Sequence, residues 1–373
     1  MSSSTLTEAL GLLLRRAEEG EETAAPACET GNGFDGNVGL RVSALFVILI
    51  TSSFGALFPI LAKTSSRLNI PAGAFFFTKY FGSGVIIATA FIHLLTPASE
   101  ALTNPCLTGV ITEYPWTQGI ALMSVFTLFF VELMAMRYAT FTSFTSEAGA
   151  QTTVSGGSST TTGKSAPAIQ PHNHTNQLRF SQTFELEPHL SHLPDHADPE
   201  SAVVASSTES YAAQLTSLFI LEFGVIFHSV FIGLTLAVSG EEFKTLYIVL
   251  VFHQMFEGLG LGSRLATVPW PHAKRLTPWI MALAYGLSTP IAIAIGLGVR
   301  ETYPAEGATT LVVNGVFDSI SAGILLYTGL VELMAHEFLF SHSLRDASTA
   351  TVFAAFGNMV LGAALMALLG KWA

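Results

Sequence analysis

The chain has 373 residues, half of them hydrophobic and only 12% charged, with a formal net charge of −11. Soluble domains carry roughly 25% charged residues, so this composition excludes an ordinary soluble domain. The acids gather in tails and loops, as in Glu18, Glu19, Glu21 and Glu22. No basic stripe with interleaved aromatics occurs, which excludes a nucleic-acid partner.

The first 40 residues read as a polar tail. Its apolar stretch Leu10–Leu14 is short, and Arg15 and Arg16 follow rather than precede it. That is the wrong order for a secretory signal, so the first span starts insertion. A membrane span needs about 20 mostly apolar residues. Eight stretches qualify, near Val42–Ala62, Ala74–Thr96, Trp116–Tyr138, Ala213–Val238, Leu246–Leu265, Pro278–Val299, Val312–Phe340 and Thr351–Leu369. Backbone in lipid must satisfy its own hydrogen bonds, so each is predicted helical. The expected fold is an all-α membrane protein. Residues 1–40 form the tail, 41–139 spans one to three, 140–211 a disordered loop and 212–373 spans four to eight. Small residues such as Phe81-Gly82-Ser83-Gly84 and Gly357 predict close helix packing.

Lys and Arg near span ends mark the cytoplasmic side. Lys63, Arg67 and Lys79 lie between spans one and two, Arg137 follows span three, Arg264, Lys274 and Arg275 follow span five, and Arg345 follows span seven. The other side holds Lys244 and Arg300, with Arg15, Arg16 and Arg41 counting against the assignment. Both termini are therefore expected outside. Cys28 and Cys106, the only two cysteines, then share the outer side, where a disulfide can form. Two unpaired thiols are the alternative. Two cysteines are too few for a disulfide scaffold or a cysteine-built zinc module.

The loop is rich in Ser, Thr and Gly over Gly149–Ala168 and reads as a linker. His172, His174, His189, His192 and His196 follow, and neutral imidazoles there are expected to capture metal weakly. Their spacing matches no closed structural zinc site. An ordinary solvated loop is the alternative.

The informative residues lie inside the spans, where a charge costs about 2.5 kcal/mol or more and so faces a cavity or a partner. His228 sits mid-way along span four. His253 and Glu257 sit in span five, four residues apart and hence on one helix face. Two imidazoles and a carboxylate suit Zn²⁺, and tolerably Fe²⁺ or Mn²⁺. Ser229, Gln254 or water would complete the shell while leaving it open enough for release. Interhelical hydrogen bonding is the alternative use of such groups.

His228-Ser229-Val230-Phe231-Ile232-Gly233 and His253-Gln254-Met255-Phe256-Glu257-Gly258 resemble the signature of the ZIP family of zinc and iron transporters. Thr89-Ala90-Phe91-Ile92-His93-Leu94-Leu95 is similar to span two of its fungal plasma-membrane members. The likeness runs from about Cys28 to the end. It implies two three-helix groups around spans four and five, a 3+2+3 arrangement, and His228, His253 and Glu257 as transport ligands. Some bacterial members hold two metals through further acids. Here Ile232, Ser229 and Gln254 replace three of those ligands, and Ser288-Thr289-Pro290 lacks a fourth. The resemblance therefore implies no full second site, although Ser229, Gln254 and Glu257 could hold a transient one. His93 and Glu100 are expected along the entrance, and Glu332, His336 and Glu337 along the exit.

The expected function is import of zinc into the cytoplasm across the plasma membrane by alternating access. The bilayer and the transported ion are the expected partners, a homodimer is compatible, and no cofactor is expected. Two other classes use the same residue types. An intramembrane metalloprotease would favour His-Glu-x-x-His, but Gln254 follows His253 and Leu339 stands where His336-Glu337 needs its second histidine. A metal-gated receptor without net transport is the other.

Overall fold

The computed structural model describes residues 26–65, 71–151 and 199–372. Among these residues it is all-helical, with no strand. Among the described residues, eight helices are long and apolar enough to cross a membrane. We number them α1 (Val38–Thr64), α2 (Ala72–Leu102), α3 (Trp116–Gln151), α4 (Pro199–Val238), α5 (Phe243–Thr267), α6 (Thr277–Val299), α7 (Ala308–Phe340) and α8 (Thr349–Leu369). Most extend a few residues beyond the predicted spans, because a helix does not stop where the hydrocarbon does. Large apolar side chains such as Phe126, Phe129, Ile280 and Phe353 are exposed, as expected where lipid replaces water.

The expected loop 140–211 is described only at its two ends. Helix α3 continues to Gln151 and α4 begins at Pro199, so both described ends of that segment are helical. Extending a helix costs far less than nucleating one. Ala148 and Ala150 prolong α3, while Pro199 and Glu200 make a favourable first turn for α4. The histidines His172, His174, His189, His192 and His196 lie outside the described residues.

Helix α5 is central. It packs on α1, α2 and α6 and touches α8, while α2 lies along α8 and its second half along α7. Close approach explains several glycines. A Cβ on Gly82 would fall 2.2 Å from the Gly260 Cα, and one on Gly84 would fall 1.8 Å from the Met359 carbonyl oxygen. Only hydrogen fits at such crossings. Gly357, also expected at a contact, has open space around it instead.

Cys28 and Cys106 are joined by a disulfide, with Cα atoms 4.9 Å apart. The start of α1 and the end of α8 lie at this same end of the bundle, since Gly33 touches Gly240 and Gly370 meets Ile92. Here Arg41 is fully buried. It donates to the carbonyl oxygens of Leu236, Ala237 and Ser239 at the end of α4. Its guanidinium also pairs with Asp35 at 2.8 Å and lies over the Phe34 and Phe243 rings. The hydrogen bond from Arg41 holds the Asp35 carboxyl below its usual range. Arg41 thus caps a helix C-terminus, where carbonyls lack partners, and is not the free surface charge that orientation counting assumes.

Two helices are wound more widely for part of their length. Thr89–Leu95 within α2 and Thr328–Phe340 within α7 are π-helical. Such segments are rare and frequent at functional sites. The first carries His93, and the second carries Glu332, His336 and Glu337.

Candidate metal centre

Between α2, α4, α5 and α7, toward the disulfide end, lies a cavity of about 300 Å³. His93, Glu100, His228, His253 and Asp318 all line it. The expected entrance residues therefore share one space with the two central histidines. His228 and His253 are each 2% exposed, and Glu257 is fully buried one turn deeper on α5.

The neighbours leave these groups little to bond with. Among the described residues, both ring nitrogens of His228, Nε2 of His253 and both oxygens of Glu257 lack hydrogen-bond partners. Buried polar atoms are nearly always paired, so such a cluster calls for a ligand. His253 Nε2 lies 3.8 Å from Glu257 Oε2, as their four-residue spacing requires. The His228 and His253 ring centroids are 5.8 Å apart. His93 meets His253 edge-on at 4.6 Å, with its Nε2 2.9 Å from the Met366 carbonyl oxygen. A carbonyl only accepts, so Nε2 carries the proton and Nδ1 keeps its lone pair.

Ser229 and Gln254 are fully buried beside this cluster. Gln254 Nε2 donates to Ser229 Oγ at 3.5 Å, so the pair partly satisfies itself. The Gln254 Oε1 atom remains without a hydrogen-bond partner among the described residues. Tyr285 of α6 donates to the Gln254 carbonyl oxygen at 2.6 Å and steadies this stretch of α5. No group of three His, Cys, Asp or Glu side chains is gathered closely enough to hold one ion among the described residues. The donors are near one another without forming a closed shell.

The expected exit residues are built differently. Glu337 is ion-paired with Lys79 and accepts from the Tyr80 hydroxyl at 3.1 Å. Glu332 pairs with Arg264 at 3.2 Å. Nearby, Tyr327 donates to Glu132 at 2.5 Å. His336 is exposed, with its ring 6.4 Å from that of Phe340, and is not drawn into these pairs. The cavity lined by Lys79, Ser83, Arg264 and Glu337 measures about 10 Å³, at or below what one water needs. Two larger hollows, of about 640 and 390 Å³, are lined almost entirely by apolar side chains such as Phe219, Phe223, Ile226 and Ile291. Among the described residues, no imidazole or carboxylate lines them.

Asp318 is the residue that the sequence reading missed. Its Oδ1 lies 3.6 Å from His228 Nδ1 and has no hydrogen-bond partner among the described residues. The signal was available, because a carboxylate ten residues into α7 meets the same energetic objection as Glu257.

Comparison with known proteins places these features in a family. The ZIP Zinc transporter family model matches residues 38–370. The chain is 42% identical to Zinc-regulated transporter 2 of Saccharomyces cerevisiae, over 94% of this chain and 98% of that protein. It is 42% identical to Zinc-regulated transporter 1 of the same yeast, over 92% and 90% of the two chains. Zinc transporter 3 of Arabidopsis thaliana is 34% identical over 96% of this chain and 93% of its own length. Proteins of this kind are membrane transporters and not enzymes, which removes the protease alternative. An all-helical bundle of eight apolar helices, with unpartnered histidines and a carboxylate at its centre, thus finds its place: the chain belongs to the ZIP zinc transporter family.

Proposed function

We propose that this protein imports Zn²⁺ across the plasma membrane into the cytoplasm, using His228, His253 and Glu257 as its mid-membrane ligands. One observation carries the reading: buried nitrogens and carboxylate oxygens without hydrogen-bond partners among the described residues, beside a cavity that His93 and Glu100 also line. Imidazole and carboxylate are ordinary zinc ligands, and the relatives are named for zinc. The disulfide supports placing that end of the bundle outside the cell, since disulfides persist in oxidising compartments.

In this arrangement the cavity admits zinc from outside. Glu100 and His93 meet it first, and the open shell keeps it exchangeable. The ion pairs of Glu332 and Glu337 close the opposite end. Inward release requires the helix groups to move against each other, so that those pairs part and the central ligands face the cytoplasm. Ser229 and Gln254 supply weaker oxygen donors beside the path.

The test is radioactive zinc uptake in cells lacking their own importers, comparing wild type with Glu257→Gln at matched surface expression. Uptake should fall at least about 100-fold, equivalent to about 2.7 kcal/mol. Equal uptake by both proteins would move the ion path elsewhere. No uptake by well-expressed wild type would favour the receptor alternative.

A further inference from the structure

The donors in the central cavity fall into two pairs rather than one set. His253 and Glu257, both on α5, are separated by 3.8 Å. His228 and Asp318, on α4 and α7, are separated by 3.6 Å. Two ligands on one tetrahedral zinc, at bond lengths of roughly 2.0–2.1 Å, lie about 3.4 Å apart. Each pair therefore spans nearly the edge that one ion would bridge. Both distances exceed a normal hydrogen bond of about 2.7–3.2 Å. Neither pair is bonded to itself in the way that Glu332 and Arg264 are.

We propose that Asp318 is a direct ligand for the transported ion, forming with His228 Nδ1 an upper station from which the ion passes to His253 and Glu257. The inference rests on the transport reading above and extends it to a third helix. Three observations support it. His228 is 2% exposed and lines the cavity with both nitrogens lacking a hydrogen-bond partner among the described residues. Asp318 lines the same cavity, together with apolar side chains such as Phe231, Ile232 and Leu250, and its Oδ1 has no hydrogen-bond partner among the described residues. Its neighbour Phe317 packs on Phe227 at 4.8 Å and Phe231 at 5.8 Å, contacts between α7 and α4 beside the place where Asp318 meets His228.

The two-station arrangement has a chemical purpose. A two-residue station holds an ion loosely enough to release it, whereas four strong ligands would trap it. An imidazole has two nitrogens. With Nδ1 of His228 facing Asp318, its other edge is left for the deeper set. Motion of α7 relative to α4 would separate Asp318 from His228 and dismantle the upper station. This couples the helix rearrangement to passage of the ion.

The protein's only two cysteines are joined to each other, so an introduced thiol stands alone. The experiment uses Asp318→Cys in the purified full-length chain. Cadmium favours thiolate, so it should slow maleimide labelling of the new thiol at least about tenfold. Uptake in cells should show the cadmium-to-zinc preference raised by a similar factor. Asp318→Asn, which keeps shape and hydrogen bonding but removes the charge, should raise the KM for zinc about tenfold, and Asp318→Glu should recover most of that loss. If cadmium leaves thiol labelling unchanged, or if Asp318→Asn transports with the wild-type KM, Asp318 is not a ligand. Thiol protection is read by binding alone. A failure there, with Glu257-dependent uptake intact, overturns this proposal without touching the transport reading. If Asp318→Cys does not fold, the KM of Asp318→Asn decides the matter.

Discussion

The two ends of the proposed ion path contain the same residue types and treat them in opposite ways. Toward the disulfide end, His93, His228, His253 and Asp318 line about 300 Å³ of space. Two of those histidines and Asp318 keep ring nitrogens or a carboxylate oxygen without hydrogen-bond partners among the described residues. Toward the opposite end, Glu332 and Glu337 are matched to Arg264 and Lys79 around a cavity of about 10 Å³. A carboxylate whose charge is already balanced by an arginine or lysine has little left for a passing ion. One without a cation has its full capacity available. On the proposed transport reading the difference separates a binding region from a closure, and it is made by the cations that face the acids, not by the acids themselves.

The largest expected effect lies in the closure. Arg264→Ala would leave Glu332 as an uncompensated buried acid, at a cost of about 3–5 kcal/mol. Adding Glu332→Gln should recover most of it, because both charges are then gone. Thermal melting of the purified proteins measures both steps. A double variant no more stable than the single would mean that the pair does not seal this end. Next comes the histidine contrast. His253→Ala should reduce zinc uptake about 100-fold, or about 2.7 kcal/mol, whereas His336→Ala should change it less than about twofold, since His336 is exposed. Similar losses for both would erase the distinction between the two ends.

Helix α2 joins the regions, carrying Lys79 at one and His93 at the other. Gly84→Ala would drive a methyl group toward the Met359 carbonyl oxygen and should destabilise the fold by about 1–3 kcal/mol. Gly357→Ala, with open space around it, should stay within about 0.5 kcal/mol of wild type. Thermal melting again decides. The smallest effect is in accessibility. In intact cells a membrane-impermeant maleimide should label Glu100→Cys at least about tenfold faster than Ser263→Cys, equivalent to about 1.4 kcal/mol. Glu100 is exposed at the cavity mouth, and Ser263 is buried beside the closure. Faster labelling of Ser263→Cys would reverse the proposed orientation.

The amino-acid sequence by itself determined the eight spans, since hydropathy over about 20 residues is a local property. It also pointed to His228, His253 and Glu257, because a polar group in an apolar span stands out without knowledge of its neighbours, and the i, i+4 spacing sets two of them on one face. The family was legible from two short strings for the same reason. Only the tertiary structure decided what faces these groups. It brought Asp318 within 3.6 Å of His228 across 90 residues of sequence, paired Lys79 with Glu337 across 258, and buried Arg41 against the end of α4. A charge in the sequence shows that it needs a partner. Which partner it receives, or whether one is withheld for an ion, depends on helix packing, and that is a long-range property of the chain.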